Sequence, residues 1–98
     1  MSDWVSNEII EKTIAKHGKT VQTVVCMEEC SELIKECSKM VRKEGNIDHL
    51  IEEMADVHIC LDMLELMYDI DHGDVLTEMV KKFDRLQKRL EETPDDAS

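Results

Sequence analysis

The chain has 98 residues, with 23 acidic against 12 basic ones and a net charge of -11. That length holds a single domain, residues 1–98. The acidity excludes the basic footprint of a nucleic-acid binder and disfavours docking on an anionic membrane. Three Gly, one Pro and three aromatic residues, with 42% apolar and 36% charged, exclude collagen-like and disordered classes and argue against a β-rich fold. An all-α domain is expected. The first residues lack a basic stretch followed by an apolar run, so no signal peptide is expected. Nor is any segment long and uncharged enough to span a bilayer. Cys26, Cys30, Cys37 and Cys60 fall inside helical patterns without zinc-ribbon spacing, which points to a reduced, cytoplasmic setting.

Four helices are predicted. The first covers residues 3–16, capped by Ser2 or Asp3 and closed by Gly18. The second covers 20–43 and ends near Gly45. Asn46 or Asp48 starts the third, which continues to about residue 70. A break follows at Asp71, His72, Gly73 and Asp74, with Asp74 as the N-cap of a fourth helix over 75–92. The tail, 93–98, contains Pro94 and is expected to fray.

The fourth helix carries Leu76, Met79, Phe83, Leu86 and Leu90 at alternating spacings of three and four, a seam for another helix. The third helix is apolar nearly all round, through Met54, Val57, Ile59, Cys60, Leu61, Met63, Leu64 and Leu66. Such a helix is surrounded by others. A monomer this small covers it poorly, so part of its surface is expected to meet another subunit of a homo-oligomer.

Two acidic segments stand out, Glu28-Glu29-Cys30-Ser31-Glu32 and Glu52-Glu53-Met54-Ala55-Asp56. Each holds a pair at i, i+3, on one helix face: Glu29 with Glu32 and Glu53 with Asp56. Spacing alone is weak in so acidic a chain, because Glu8/Glu11, Asp62/Glu65 and Asp71/Asp74 repeat it. Position on the helix says more. At about 100° per residue, Gln22, Val25, Glu29, Glu36 and Met40 share one side of the second helix, with Glu32 beside them. Glu53 and Asp56 share a stripe with Cys60, Met63, Leu64 and Met67, whereas Asp62 and Glu65 point away from it. Carboxylates on apolar faces repel one another and lose hydration unless cations neutralise them. Lysines are few on these faces. An all-oxygen ligand set suits Mg²⁺, Mn²⁺ or Ca²⁺.

At these residues the chain resembles the MazG-like, all-α nucleoside triphosphate pyrophosphohydrolases, a superfamily that also holds dimeric dUTPases and dCTP pyrophosphatases. Their pattern is Glu-Glu-x-x-Glu, a spacer of a few turns, then Glu-x-x-Asp. Here it reads Glu28-Glu29-Cys30-Ser31-Glu32, then Glu53-Met54-Ala55-Asp56. The likeness covers roughly residues 17–92, including a basic last helix with Lys81-Lys82-Phe83. It is nearest in form to short, single-domain phage or prophage members. Some members carry an Asn just before those basic residues. The corresponding stretch here is Glu78-Met79-Val80.

The resemblance implies a four-helix, bundle-like MazG fold assembled as a dimer or tetramer. It implies Mg²⁺-dependent cleavage of a (d)NTP to (d)NMP and pyrophosphate, with Mn²⁺ as an alternative ion. Glu29, Glu32, Glu53 and Asp56 are then the metal ligands and catalytic carboxylates. Gln22, Lys39, Lys82 and Arg85 are candidates for substrate contact, and Glu36 for support of the ligands. Trp4 is a candidate for base stacking, against a plain core role. A non-enzymatic helical interaction protein and a nucleotide-binding module are the competing expectations. A di-iron bundle is disfavoured because no histidine has a glutamate three residues before it.

Overall fold

The structure, a computed structural model, describes the backbone of residues 3–92 and the side chains of residues 7–92. Ser2 as a cap, the Trp4 side chain and the frayed tail therefore lie outside the described residues. Four helices follow in order, with no strand among the described residues: α1 (Asp3–His17), α2 (Lys19–Val41), α3 (Ile47–Met67) and α4 (His72–Glu92). The all-α expectation holds. Among the described residues, no helix is long and apolar enough to cross a membrane.

Backbone chemistry sets the helix ends, and three differ from expectation. Gly18 closes α1 as predicted: its φ is +93°, and its N–H donates to the Ile14 carbonyl at 2.8 Å. Helix α2 stops at Val41, before Gly45 is reached. The left-handed residue is Lys43 (φ +62°), and the Glu44 N–H reaches back to the Lys39 carbonyl at 2.9 Å, the 6→1 bond of a Schellman end. Gly45 serves a different purpose, because a Cβ there would meet the Met40 side chain and backbone. Asn46 does cap α3, accepting from the Asp48 N–H at 2.8 Å and the His49 N–H at 3.3 Å.

Helix α3 ends at Met67, three residues short of the predicted limit. Asp69 takes the left-handed conformation (φ +53°), and the Ile70 N–H returns to the Glu65 carbonyl at 2.9 Å. Nor does Asp74 cap α4. The helix starts earlier, where the Asp71 carboxylate accepts from the Gly73 N–H at 2.9 Å. Asp74 instead sits in the first turn, where its charge meets the positive end of the helix dipole.

Helices α2 and α3 form the main pair, and α1 packs across both. They run antiparallel: the Cys26 thiol lies 3.7 Å from the Cys60 carbonyl oxygen, and Thr23 Oγ1 lies 2.8 Å from the Tyr68 hydroxyl. The core is small. Ile10, Cys26, Cys60, Met63 and Met67 are buried together, with Ile14 and Leu64 against them. Helix α4 buries no residue and packs closely against none of the others.

Candidate metal centre

The antiparallel register brings two acidic segments into one place. With Cys26 opposite Cys60, moving three residues on along α2 and four back along α3 puts Glu29 opposite Asp56. Glu53 follows one turn further. A carboxylate oxygen from each of Glu29, Glu53 and Asp56 lies within 4.8 Å of the other two. The faces are those expected: Gln22 and Glu36 are buried on α2, and Cys60, Met63 and Met67 on α3.

Three carboxylates this close cannot all be ionised cheaply. Glu29 and Glu53 are half-buried. The Glu29 carboxyl is pushed up to about pH 7, first by the hydrogen bond it shares with Asp56, then by burial, then by the charges of Asp56 and Glu53. Among the described residues, none of the three forms an ion pair with Lys, Arg or His. Glu53 Oε2 is buried and without a hydrogen-bond partner. An orphaned acceptor beside two more carboxylates suits a hard divalent cation, which satisfies oxygen ligands and removes the repulsion together.

The fourth expected ligand stands apart. Glu32 is not among the three clustered acids, and its side chain is 45% exposed, paired with Lys35 at 3.1 Å. The flanking Glu28 and Glu52 are exposed. Of the candidate substrate contacts, Gln22 is buried at 5% exposure and Lys39 is half-buried, 3.3 Å from Glu36. Lys82 and Arg85 are exposed on α4.

Two further placements went beyond the sequence reading. Glu36 is 8% exposed, with one oxygen on Lys39 and the other, Oε2, buried and unpartnered. Its position on the Glu29 side was visible, but the depth depends on how closely α3 approaches. Glu65, expected to point away from the apolar stripe, is half-buried, and both its oxygens lie 3.1 Å from His72 Nδ1. That pair spans a helix break, so no helical spacing announces it.

The cysteines divide. All four are free; Cys26 and Cys60 are buried, Cys30 and Cys37 exposed. Burial, then the hydrogen bond with Cys26, pushes the Cys60 thiol up to about 12, so it behaves as a small apolar group. Comparison with protein-family models, curated proteins and solved structures found no match for this chain.

Proposed function

We propose that this chain is a Mg²⁺-dependent nucleoside triphosphate pyrophosphohydrolase of the MazG-like kind. It would cleave (d)NTP to (d)NMP and pyrophosphate as a homo-oligomeric, bundle-like assembly. One observation carries the reading: the convergence of Glu29, Glu53 and Asp56, with an unpartnered buried oxygen on Glu53. These are three of the four acids singled out by the Glu-Glu-x-x-Glu and Glu-x-x-Asp segments. The free cysteines support a reducing, cytoplasmic compartment.

In this proposal Glu29, Glu53 and Asp56 hold the ion, with Glu32 one turn along α2 as the fourth ligand after leaving Lys35. A Mg²⁺ ion held there would supply charge neutralisation for the phosphates and activation of the attacking water. The chain's own part would be to position these carboxylates on two helices, since phosphoryl chemistry depends mainly on positioning and electrostatics. Lys39 sits on α2 with its ammonium steadied by Glu36, a placement suited to a phosphate oxygen. Gln22 offers an amide to a base edge or a ligand carboxylate. Lys82 and Arg85 would have to come from a rearranged α4 or from a neighbouring subunit.

The exposed apolar face of α4 favours a second reading, a helical interaction protein whose acids are not catalytic. Product analysis separates the two. The protein is incubated with each of the eight common NTPs and dNTPs, with Mg²⁺ and with EDTA, and the products are resolved by chromatography. Metal-dependent monophosphate and pyrophosphate are expected. Absence of turnover together with a melting temperature indifferent to Mg²⁺ would overturn the enzyme reading.

A further inference from the structure

Helix α2 buries a carboxylate that belongs to neither acidic segment. Glu36 is 8% exposed. Its Oε1 accepts from the Lys39 ammonium at 3.3 Å, while Oε2 is buried and has no partner among the described residues. A charged oxygen taken out of water without a donor destabilises the fold, so such an atom calls for a ligand.

The place of Glu36 on α2 says where that ligand lies. It follows Glu29 by two turns, so the two side chains fall about 20° apart on one face and roughly 10 Å apart along the axis. The antiparallel register that sets Cys26 opposite Cys60 also sets Leu33 opposite Glu53 and Glu36 opposite Leu50. In packed helices a residue of one enters the space between four residues of the other. For Glu53 those four are Glu29, Glu32, Leu33 and Glu36. Glu53 therefore has Glu29 to one side and Glu36 to the other. Leu50, being apolar, gives Glu36 no donor. Glu53 and Glu36 each keep one buried oxygen without a partner.

The charges along this helix contact do not balance. Glu29, Glu36, Glu53 and Asp56 carry four carboxylates. Lys39 is the only cation paired with any of them among the described residues. One divalent ion together with Lys39 neutralises three of the four charges. Lys39 is itself a loose counter-ion, with a side chain 44% exposed. Mg²⁺ is commonly held by one or two carboxylates, with waters and phosphate oxygens completing its shell. Glu36 and Glu53 offer such a pair.

We infer that Glu36 is a direct cation ligand: with Glu53 it holds a second divalent ion on the side of the cluster away from Asp56, and Glu53 serves both ions. The inference rests on the reading of Glu29, Glu53 and Asp56 as a metal centre, but not on the identity of the substrate. It also gives the bound phosphates a direction. The second ion and Lys39 stand at the same end of the α2 face, and Gln22 stands at the other. A nucleotide held there runs its phosphate chain toward Lys39 and its base toward Gln22.

Mn²⁺ titration of the full chain tests this, with free Mn²⁺ read by electron paramagnetic resonance and folding by circular dichroism. The wild type is expected to bind two ions per chain. Glu36→Gln keeps the shape of the side chain and should weaken the second ion at least ~10-fold while leaving the first in place. Glu28→Gln removes a charge from an exposed position of the same helix and should alter neither ion. Lys39→Met should tighten the second ion, because the ammonium competes for Glu36. A glutamate that only anchored Lys39 would give no such gain. The doubly loaded protein should show the spectrum of two coupled ions, since Glu53 is shared. One ion per chain in both wild type and Glu36→Gln would overturn the inference and leave the metal centre standing. Equal losses from Glu28→Gln and Glu36→Gln would do the same. No bound ion at all would overturn both. Should Glu36→Gln fail to fold, a Lys39→Met protein that binds the second ion no more tightly than wild type decides against Glu36.

Discussion

Helix α3 meets α2 and α4 in opposite ways. Against α2 it closes fully, with Cys60, Met63 and Met67 buried, and then sets Glu53 and Asp56 into that contact facing Glu29. Toward α4 it presents an apolar stripe that its own chain leaves exposed. The closed side contains the charges that destabilise it, and the open side contains the apolar surface that would stabilise it. Folding alone explains neither arrangement. A bound cation would resolve the first, and a helix packed on the α4 stripe would resolve the second.

The strongest way to break this comparison acts on the closed side. Glu53→Gln or Asp56→Asn removes one charge from a cluster that repels itself. Mg²⁺-dependent turnover should fall at least ~100-fold, since loss of even a group supporting a ligand costs 10–100-fold. The metal-free protein should melt higher than wild type, because a like charge has gone. The pH profile sharpens the point. Glu29 binds its proton more tightly in the fold than in the unfolded chain, with its folded value at about 7. The stability it withdraws therefore grows as pH rises from the ordinary carboxyl range to about 7 and is constant above that. Thermal melts at pH 5.5 and 8 should show a larger loss for wild type than for Glu53→Gln, and Mg²⁺ should reduce the wild-type loss. Equal pH slopes in the two proteins would remove the cluster as their cause.

A smaller effect separates the two sides by packing. Met63→Ala empties a buried position and should cost about 2–5 kcal/mol, read by urea denaturation at any protein concentration. Phe83→Ala, at an exposed position of α4, should cost no more than about 0.5 kcal/mol in dilute protein. In the proposed homo-oligomer its cost should grow as concentration rises. A concentration-independent loss at Phe83 would mean that α4 folds down on its own α3 in solution.

Much of the closed side was legible in the sequence. The i, i+3 acid pairs, their place on apolar faces and the helices that carry them follow from periodicity, and periodicity is a property of each helix alone. Which acids meet depends on register, and that is set by contacts such as Cys26 with Cys60. Glu32 illustrates the limit: it shares a helix side with Glu29 but is not among the three clustered acids, and it pairs with Lys35 instead. The Glu65–His72 pair was hidden for the same reason, since it exists only because the turn reverses the chain. The apolar seam of α4 was legible, but its destination was not, because a stripe of side chains states that it needs a partner without stating which.

The smallest predicted effect concerns the turns that hold these relationships. Sequence reasoning gave the end of α2 to Gly45, yet the left-handed position belongs to Lys43, as it belongs to Asp69 after α3. A side chain with a Cβ costs roughly 1–2 kcal/mol in that conformation, less for Asp, whose short polar group bonds locally. Lys43→Gly should therefore stabilise by about 1 kcal/mol, after the greater freedom of glycine in the unfolded chain offsets part of the relief. Asp69→Gly should gain less. For a domain of this size the first change raises the melting temperature by roughly 4–8 °C. Gly45→Ala should act in the reverse direction, because its Cβ would press on Met40. If Lys43→Gly lowers the melting temperature while Gly45→Ala leaves it unchanged, the chain does not turn where the structure places it, and the approach of α3 to α2 that assembles the carboxylates would need a different origin.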